Sequence, residues 1–467
     1  MQPRETAADL KPDYTLGVFM GHQRVADLRH DPADGSFGLR YANDWKGSVD
    51  GFPLAPGLPL QGESGSAAIR RFLENLLPEG EALDDLSRNQ ALSKSNVFGL
   101  IRHLGRETTG ALTFLPAGQD PAGLTPRARE ITWPELHARI AQRDAVPFTL
   151  WDGQVRMSVA GQQDKVLVQR VQDRLFLVDG SLSSTHILKP EPRRADLPHM
   201  VANEHFCMQL ARRLGHRAHG RAMVAEVDIL RVPDPVLCIR RFDRDPVEGE
   251  AGVDVHGAVL PRVRRRHVID ACQALDLPAS MKYERNIGSG RDVAHIRDGA
   301  SLARVYGLRP LLENPAIGLR HITFWSILTL LLGNSDAHGK NLSFEVRPGG
   351  LSVAPLYDLV SVLQYDPGKI DHEFAMAFGD AFRFDEMTPF ALADHCVQAG
   401  IDRRFFAREL RQLCRLVQEL AMAEAGQPVY TPAERDTVRS MAESVVQRAR
   451  HLEPMASAIP RFAKDLF

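Results

Sequence analysis

Leu332-Gly333-Asn334-Ser335-Asp336-Ala337-His338-Gly339-Lys340-Asn341 is followed, seventeen residues after its last asparagine, by Leu356-Tyr357-Asp358-Leu359. An aspartate, an asparagine five residues on and a second aspartate beyond a short β-like stretch supply what phosphoryl transfer requires. One carboxylate accepts the proton of the attacking hydroxyl, and an amide oxygen and another carboxylate hold magnesium on the phosphates of ATP. Upstream, the run from His321 to Leu332 is apolar nearly all round and predicts a buried helix that delivers the polar loop. Downstream, Leu342–Val346 and Leu351–Ala354 flank Pro348-Gly349-Gly350 and predict a hairpin. Asp336 with Asn341 and Asp358 then stand at its two ends and can converge on one metal. Taken singly, Asp336 and Asn341 are also ordinary loop-capping residues. The second aspartate in register tips the reading toward chemistry.

Composition sets the frame. A chain of 467 residues has room for two or three domains, and 44% hydrophobic with 25% charged residues describes an ordinary soluble globular protein. The net charge of −2 excludes a basic protein that coats nucleic acid. Neither a signal-peptide core nor a run of eighteen apolar residues is present, so no membrane segment is expected. Five scattered cysteines without a Cys-x-x-Cys pair read as reduced core thiols of a cytoplasmic protein.

Along the chain, residues 1–13 read as a flexible terminus and 14–125 as a small module that opens on a hairpin (Leu16, Val18, Met20, then Val25 to Leu28). Two helical stretches follow, near Ala67–Leu77 and Leu83–Leu104. Residues 126–245 are rich in short strands around one helix, Asn203–Leu214, with Gly215 as its expected C-cap. Residues 246–467 read as helical apart from the hairpin at Gly349. The fold class is α+β: a bilobal, protein-kinase-like arrangement of a small β-rich lobe, with an N-terminal β/α module, and a larger all-helical lobe.

Weaker signals accompany the central motif. The turn Ala160-Gly161-Gln162-Gln163-Asp164 between two strands could close on phosphates with its N–H groups, although a plain β-turn explains it as well. Lys189 ends a strand and Glu204 lies on the following helix, the recurrent pairing that positions a phosphate-binding lysine; a solvated lysine is the bland alternative. Arg240-Arg241-Phe242-Asp243-Arg244 closes another strand and reads either as an adenine hinge or as a solvated turn. The basic run Arg262, Arg264, Arg265, Arg266, His267 reads as a solvated helix start, or more sharply as a site for an acidic partner. His338 has no companion at metal-ligand spacing.

Taken in order, Ser158 to Lys165, Thr185-His186-Ile187-Leu188-Lys189-Pro190, Asn203-Glu204, Arg241-Phe242-Asp243-Arg244, Cys272-Gln273-Ala274-Leu275, Pro278, Lys282-Tyr283-Glu284, Asp336 to Asn341 and Tyr357-Asp358 resemble the HipA family of bacterial serine/threonine-kinase toxins over nearly the whole chain. The resemblance implies Asp336 as catalytic base and Asn341 and Asp358 as magnesium ligands. It implies Lys189 as the ATP-phosphate lysine, Ala160, Gly161, Gln162, Gln163, Asp164 and Lys165 as the phosphate loop, and Arg240, Arg241 and Phe242 as the adenine hinge. His338, Gly339, Lys340 and Tyr357 line the matching ATP site, and Ser158 aligns with the serine that these kinases autophosphorylate to silence themselves.

The same resemblance implies a HipB-type helix-turn-helix antitoxin that binds operator DNA, and an aminoacyl-tRNA synthetase, such as glutamyl-tRNA synthetase, as substrate, with arrest of translation and persistence as the outcome. Two departures stand out. Arg240 replaces a glutamate of the best-known members, and the stretch after Met376 lacks the lysine cluster by which some members touch DNA, so DNA contact is expected only through the antitoxin. The competing readings are a small-molecule phosphotransferase and a non-catalytic corepressor of the antitoxin.

Overall fold

The structure is a computed structural model that describes residues 14–156 and 163–467. The chain forms two compact units. The first takes in the described residues up to Ile187 together with Asp243–Ile269 and Glu345–Pro348; the second comprises Leu188–Phe242, Asp270–Phe344 and Gly349–Phe467. The mixed α and β class stands. The contiguous boundaries expected at 125 and 245 do not coincide with these units.

In the first unit the expected opening hairpin is present as Thr15–Met20 and Gln23–His30, extended by Phe37–Tyr41 on one side and Leu112–Pro116 on the other into a four-stranded antiparallel sheet. The helices Ser66–Glu74 and Val97–Leu104 bury Ile69, Phe72, Leu73, Leu100 and Ile101, apolar at helical spacing. The strands Arg127–Ile131, Arg174–Asp179 and Val166–Val171 pair antiparallel. Phe176, Val178 and Leu182 from this set form a core cluster with Ala258 and Leu260.

Residues 253–270 are strands, which corrects the reading of 246–467 as all-helical. Val253–Val255 pairs with Ala258–Leu260, and Arg244–Pro246 with Val263–Arg265. The basic run is therefore no solvated helix start. Arg265 donates to the carbonyls of Gly110, Thr108, Leu112 and Arg106. Arg266 is bidentate on Asp245 at 2.6 and 2.8 Å. His267 is buried against the Leu54 carbonyl, and burial pushes its imidazole down to about 4. Asp243 and Arg244 are no solvated turn either: Arg244 is fully buried and donates to Asp243, Gly110 O and Thr108 O.

The second unit carries the long helices Met200–His219, Pro315–Leu332, Arg403–Ala425 and Pro432–Met455, together with the hairpin Val227–Val232 and Asp234–Arg240. Arg403–Ala425 and Pro432–Met455 pack together, the first burying Leu410, Leu413 and Val417 and the second Val438, Met441 and Val445. A Thr431–Glu434 capping box with Pro432 in the first turn starts the last helix.

Gly215 does not end the Met200–His219 helix; Gly220 does, at φ 72°. Gly215 sits inside the helix because a Cβ there would lie 3.0 Å from the Arg221 carbonyl, so the glycine admits the returning chain. All five cysteines are buried thiols outside any disulfide.

Candidate active site

The loop Asn334–Asn341 hangs from the buried helix Pro315–Leu332, which is covered continuously from His321 to Leu332. Gly333 ends that helix at φ 66° in the left-handed region. Its last carbonyls, those of Leu331 and Leu332, accept from the buried Arg448 guanidinium at 2.8 Å each. Burial pushes Arg448 down to about 10, so it stays cationic at neutral pH and complements the helix C-terminus.

Within the loop Asp336 is exposed, while its neighbours are buried. Its backbone is pinned from several directions. Its carbonyl accepts from the Asn341 amide and the His338 N–H, both at 2.8 Å, and its N–H donates to Asn334 Oδ1 at 3.2 Å. Asn334 also donates through Nδ2 to the Asp358 carbonyl at 3.4 Å, so this buried amide ties both aspartate segments together. Asn341 spends its Nδ2 on Asp336, which turns its oxygen the other way, where it can serve as an acceptor or metal ligand.

His338 is neutral: burial, with Lys282 beside it, pushes the imidazole down to about 3, and its Nδ1 accepts the Lys340 N–H at 3.2 Å. Gly339 donates to the Lys282 carbonyl at 2.9 Å, and a Cβ there would lie 2.7 Å from Ala300 Cβ and 2.9 Å from Cys272 Sγ. Only glycine fits. The Lys340 ammonium bonds Asp270 Oδ2 at 2.5 Å, and Asp270 in turn caps the helix Ala271–Ala274. Lys340 thus braces the loop through a buried ion pair.

Beyond the hairpin strands Ser343–Arg347 and Gly350–Val353, the Tyr357 hydroxyl donates to the Lys340 carbonyl at 2.7 Å and lies 2.7 Å from Ser343 Oγ. Its ring stacks on Phe242 at 5.8 Å between centroids. Asp358 follows at φ 55°, a left-handed conformation that aspartate tolerates better than most side chains. There its carboxylate meets the Lys189 ammonium, which also bonds both oxygens of Glu204 at 2.9 and 3.1 Å. Burial works against both charged partners. Lys189 faces two carboxylates, and they hold its ammonium above the ordinary lysine range. Glu204 is held up at about 7 by burial and by the like charge of Asp358, with Lys189 pulling the other way.

Glu204 is positioned by the helix Met200–His219, which also presents Asn203. The Asn203 amide donates to the Ser361 carbonyl at 2.7 Å and accepts the Ser361 N–H at 2.8 Å, fixing the segment that follows Asp358.

The structure therefore brings together Lys189, Asp336, His338, Gly339, Lys340, Asn341, Tyr357 and Asp358, with Phe242 against Tyr357. Arg240 turns its side chain to Glu226 at 3.1 Å, and its N–H donates to the Glu226 carbonyl at 2.9 Å. Gln163, Asp164 and Lys165 belong to the first unit, where Asp164 lies 3.6 Å from Arg143 and Lys165 is buried. Ser158, Ala160, Gly161 and Gln162 lie outside the described residues.

Sequence reasoning missed Asn334, Asn203 and Asp270. An asparagine two residues before an exposed aspartate was the one signal that could have exposed the first of them. Among the described residues no group of three His, Cys, Asp or Glu side chains could hold a metal. The oxygens of Asn341 and Asp358 suit magnesium, which takes one or two protein oxygens and completes its shell with phosphates and water.

The chain is similar to known proteins along most of its length. The family described as HipA-like C-terminal domain matches residues 157–427, and the HipA N-terminal domain matches residues 16–115. A Shewanella oneidensis protein named serine/threonine-protein kinase toxin HipA is 38% identical over 413 residues, 88% of this chain and 89% of that one. The solved complex of Shewanella oneidensis HipA, HipB and its operator DNA matches with a TM-score of 0.84 at 36% identity, covering 96% of this chain and 100% of the solved one.

Proposed function

From the premise that this chain belongs to the HipA family and is a serine/threonine-protein kinase toxin of that type, we propose how its residues divide the reaction. Asp336 accepts the proton of a protein serine or threonine hydroxyl. Lys189, positioned by Glu204, neutralises phosphate charge on ATP. Asn341 Oδ1 and the Asp358 carboxylate hold magnesium, which when bound offsets the negative charge of the phosphates. Tyr357 and Phe242 provide the flat apolar wall that an adenine ring packs on.

The observation that carries this reading is the linkage through Asn334, which holds an exposed carboxylate and a lysine-paired one in fixed relation. A non-catalytic corepressor would not need that set intact, and a small-molecule phosphotransferase is disfavoured by the likeness to HipA along the whole chain.

The partner we propose is a HipB-type helix-turn-helix antitoxin through which the complex reaches operator DNA; the similar Shewanella structure holds HipA, HipB and operator DNA in one complex. The basic run does not argue for direct DNA contact, since Arg265 and Arg266 spend their guanidinium groups on protein carbonyls and on Asp245. An aminoacyl-tRNA synthetase such as glutamyl-tRNA synthetase is the substrate that the family resemblance favours. Phosphoproteomics after induced expression, wild type against an Asp336 variant, tests the whole reading; the same phosphosites in both strains would end it.

Asn341→Ala and Asp358→Ala are each expected to raise the magnesium concentration for half-maximal rate at least about tenfold. An unchanged magnesium optimum would remove both residues from the metal site. Ser158 is expected to acquire phosphate when the purified chain is incubated with MgATP, and the modified form to bind ATP poorly, because a dianion beside a phosphate loop repels the nucleotide. Mass spectrometry that finds all phosphate on other residues would reject that assignment.

A further inference from the structure

Tyr283 is bonded to the exposed carboxylate of the central loop: its hydroxyl donates to Asp336 Oδ1 at 2.8 Å. The ring is clamped in place. It meets the edge of His338 at 5.1 Å and 86°, and the Lys282 ammonium sits 5.5 Å from its centroid. The backbone on either side is stitched to the same loop. The Lys282 carbonyl accepts from Gly339, and the Glu284 N–H donates to the Ala375 carbonyl, while Ala375 donates to Ser335 O. Tyr283 is half-buried, with its polar end aimed at a carboxylate and its apolar body packed on the loop that carries that carboxylate.

We propose that Tyr283 is a positioning residue for phosphate transfer: its hydroxyl holds the Asp336 carboxylate in one rotamer, ready to receive the proton of the substrate hydroxyl. This rests on the assignment of Asp336 as the base. An ionised carboxylate offers about four lone-pair directions, so one phenolic donor fixes its orientation and leaves acceptor capacity for the substrate. Nearby, Lys340 is bonded to Asp270 and Asp358 to Lys189.

The test is single-turnover transfer of radiolabelled phosphate from MgATP into the full-length chain, measured over a range of ATP concentrations for wild type, Tyr283→Phe and Asp336→Asn. Phenylalanine keeps the ring on His338 and removes only the hydroxyl. The expected result is a roughly tenfold lower rate constant for Tyr283→Phe with the KM for ATP and the thermal midpoint unchanged. A wild-type rate in Tyr283→Phe, with Asp336→Asn inactive, would overturn the role of Tyr283 and leave Asp336 as base. A slower Tyr283→Phe whose KM and thermal midpoint move together would make the tyrosine a packing residue and overturn it too. Full transfer by Asp336→Asn would sink the base assignment, and this proposal with it.

Discussion

Replacing Asp336 with asparagine is expected to slow phosphate transfer by on the order of 10²–10⁴ while leaving the fold intact. The loop is held by the main chain around Asp336 rather than by its carboxylate: Asn341 and His338 donate to its carbonyl, and its N–H reaches Asn334. An asparagine preserves all three bonds, and its Oδ1 can still accept from Tyr283. What it loses is basicity, because an amide does not take up a proton at neutral pH. Growth arrest on expression should disappear at an unchanged protein level. Arrest that persists in the Asp336→Asn strain, with the variant folded and equally abundant, would show that toxicity does not run through phosphate transfer.

The elements proposed to carry the chemistry are legible in the sequence because each is written locally. The run His321–Leu332 has no polar face and must be buried, so the loop after it is delivered at a fixed point. The Asp, Asn, Asp spacing across a hairpin then names the chemistry. What could not be read is how distant segments complete the site. Nothing near Lys340 in the sequence announces that its ammonium is bonded to Asp270, seventy residues earlier. Arg262–His267 reads as a helix start because a basic run has no periodicity of its own. Its strand character comes from pairing with Arg244–Pro246 across an intervening hairpin. Gly215 looked like a helix end because glycine so often is one. Here the close passage of the Arg221 carbonyl demands it in mid-helix, an effect visible only in packing.

The second large effect is expected at Lys189. Lys189→Met should abolish transfer and also lower stability by about 3–5 kcal/mol, the usual consequence of removing one partner from a buried ion pair. The lysine and Glu204 side chains are almost wholly enclosed, so methionine leaves Glu204 and Asp358 as two carboxylates near one another without their shared cation. The sign of the pH dependence follows from Glu204. Its carboxyl is already held up at about 7 with the lysine present. Loss of the cation raises it further, so folding then takes up a proton, and the variant should be least unstable in acid and lose stability as pH rises toward and beyond neutrality.

Lys189→Met combined with Glu204→Met removes both buried charges and replaces them with apolar groups. It should recover most of the lost stability and none of the activity. Urea unfolding at pH 5 and pH 8 gives the stability of each variant, and transfer from MgATP gives the function. If the double variant is no more stable than Lys189→Met, the penalty does not come from the stranded carboxylate, and the ion pair is not what holds this part of the site together. If it regains both stability and transfer, Lys189 is not the residue that meets the phosphates. Stability regained with transfer still absent is the outcome expected of a lysine whose charge the fold can do without and the chemistry cannot.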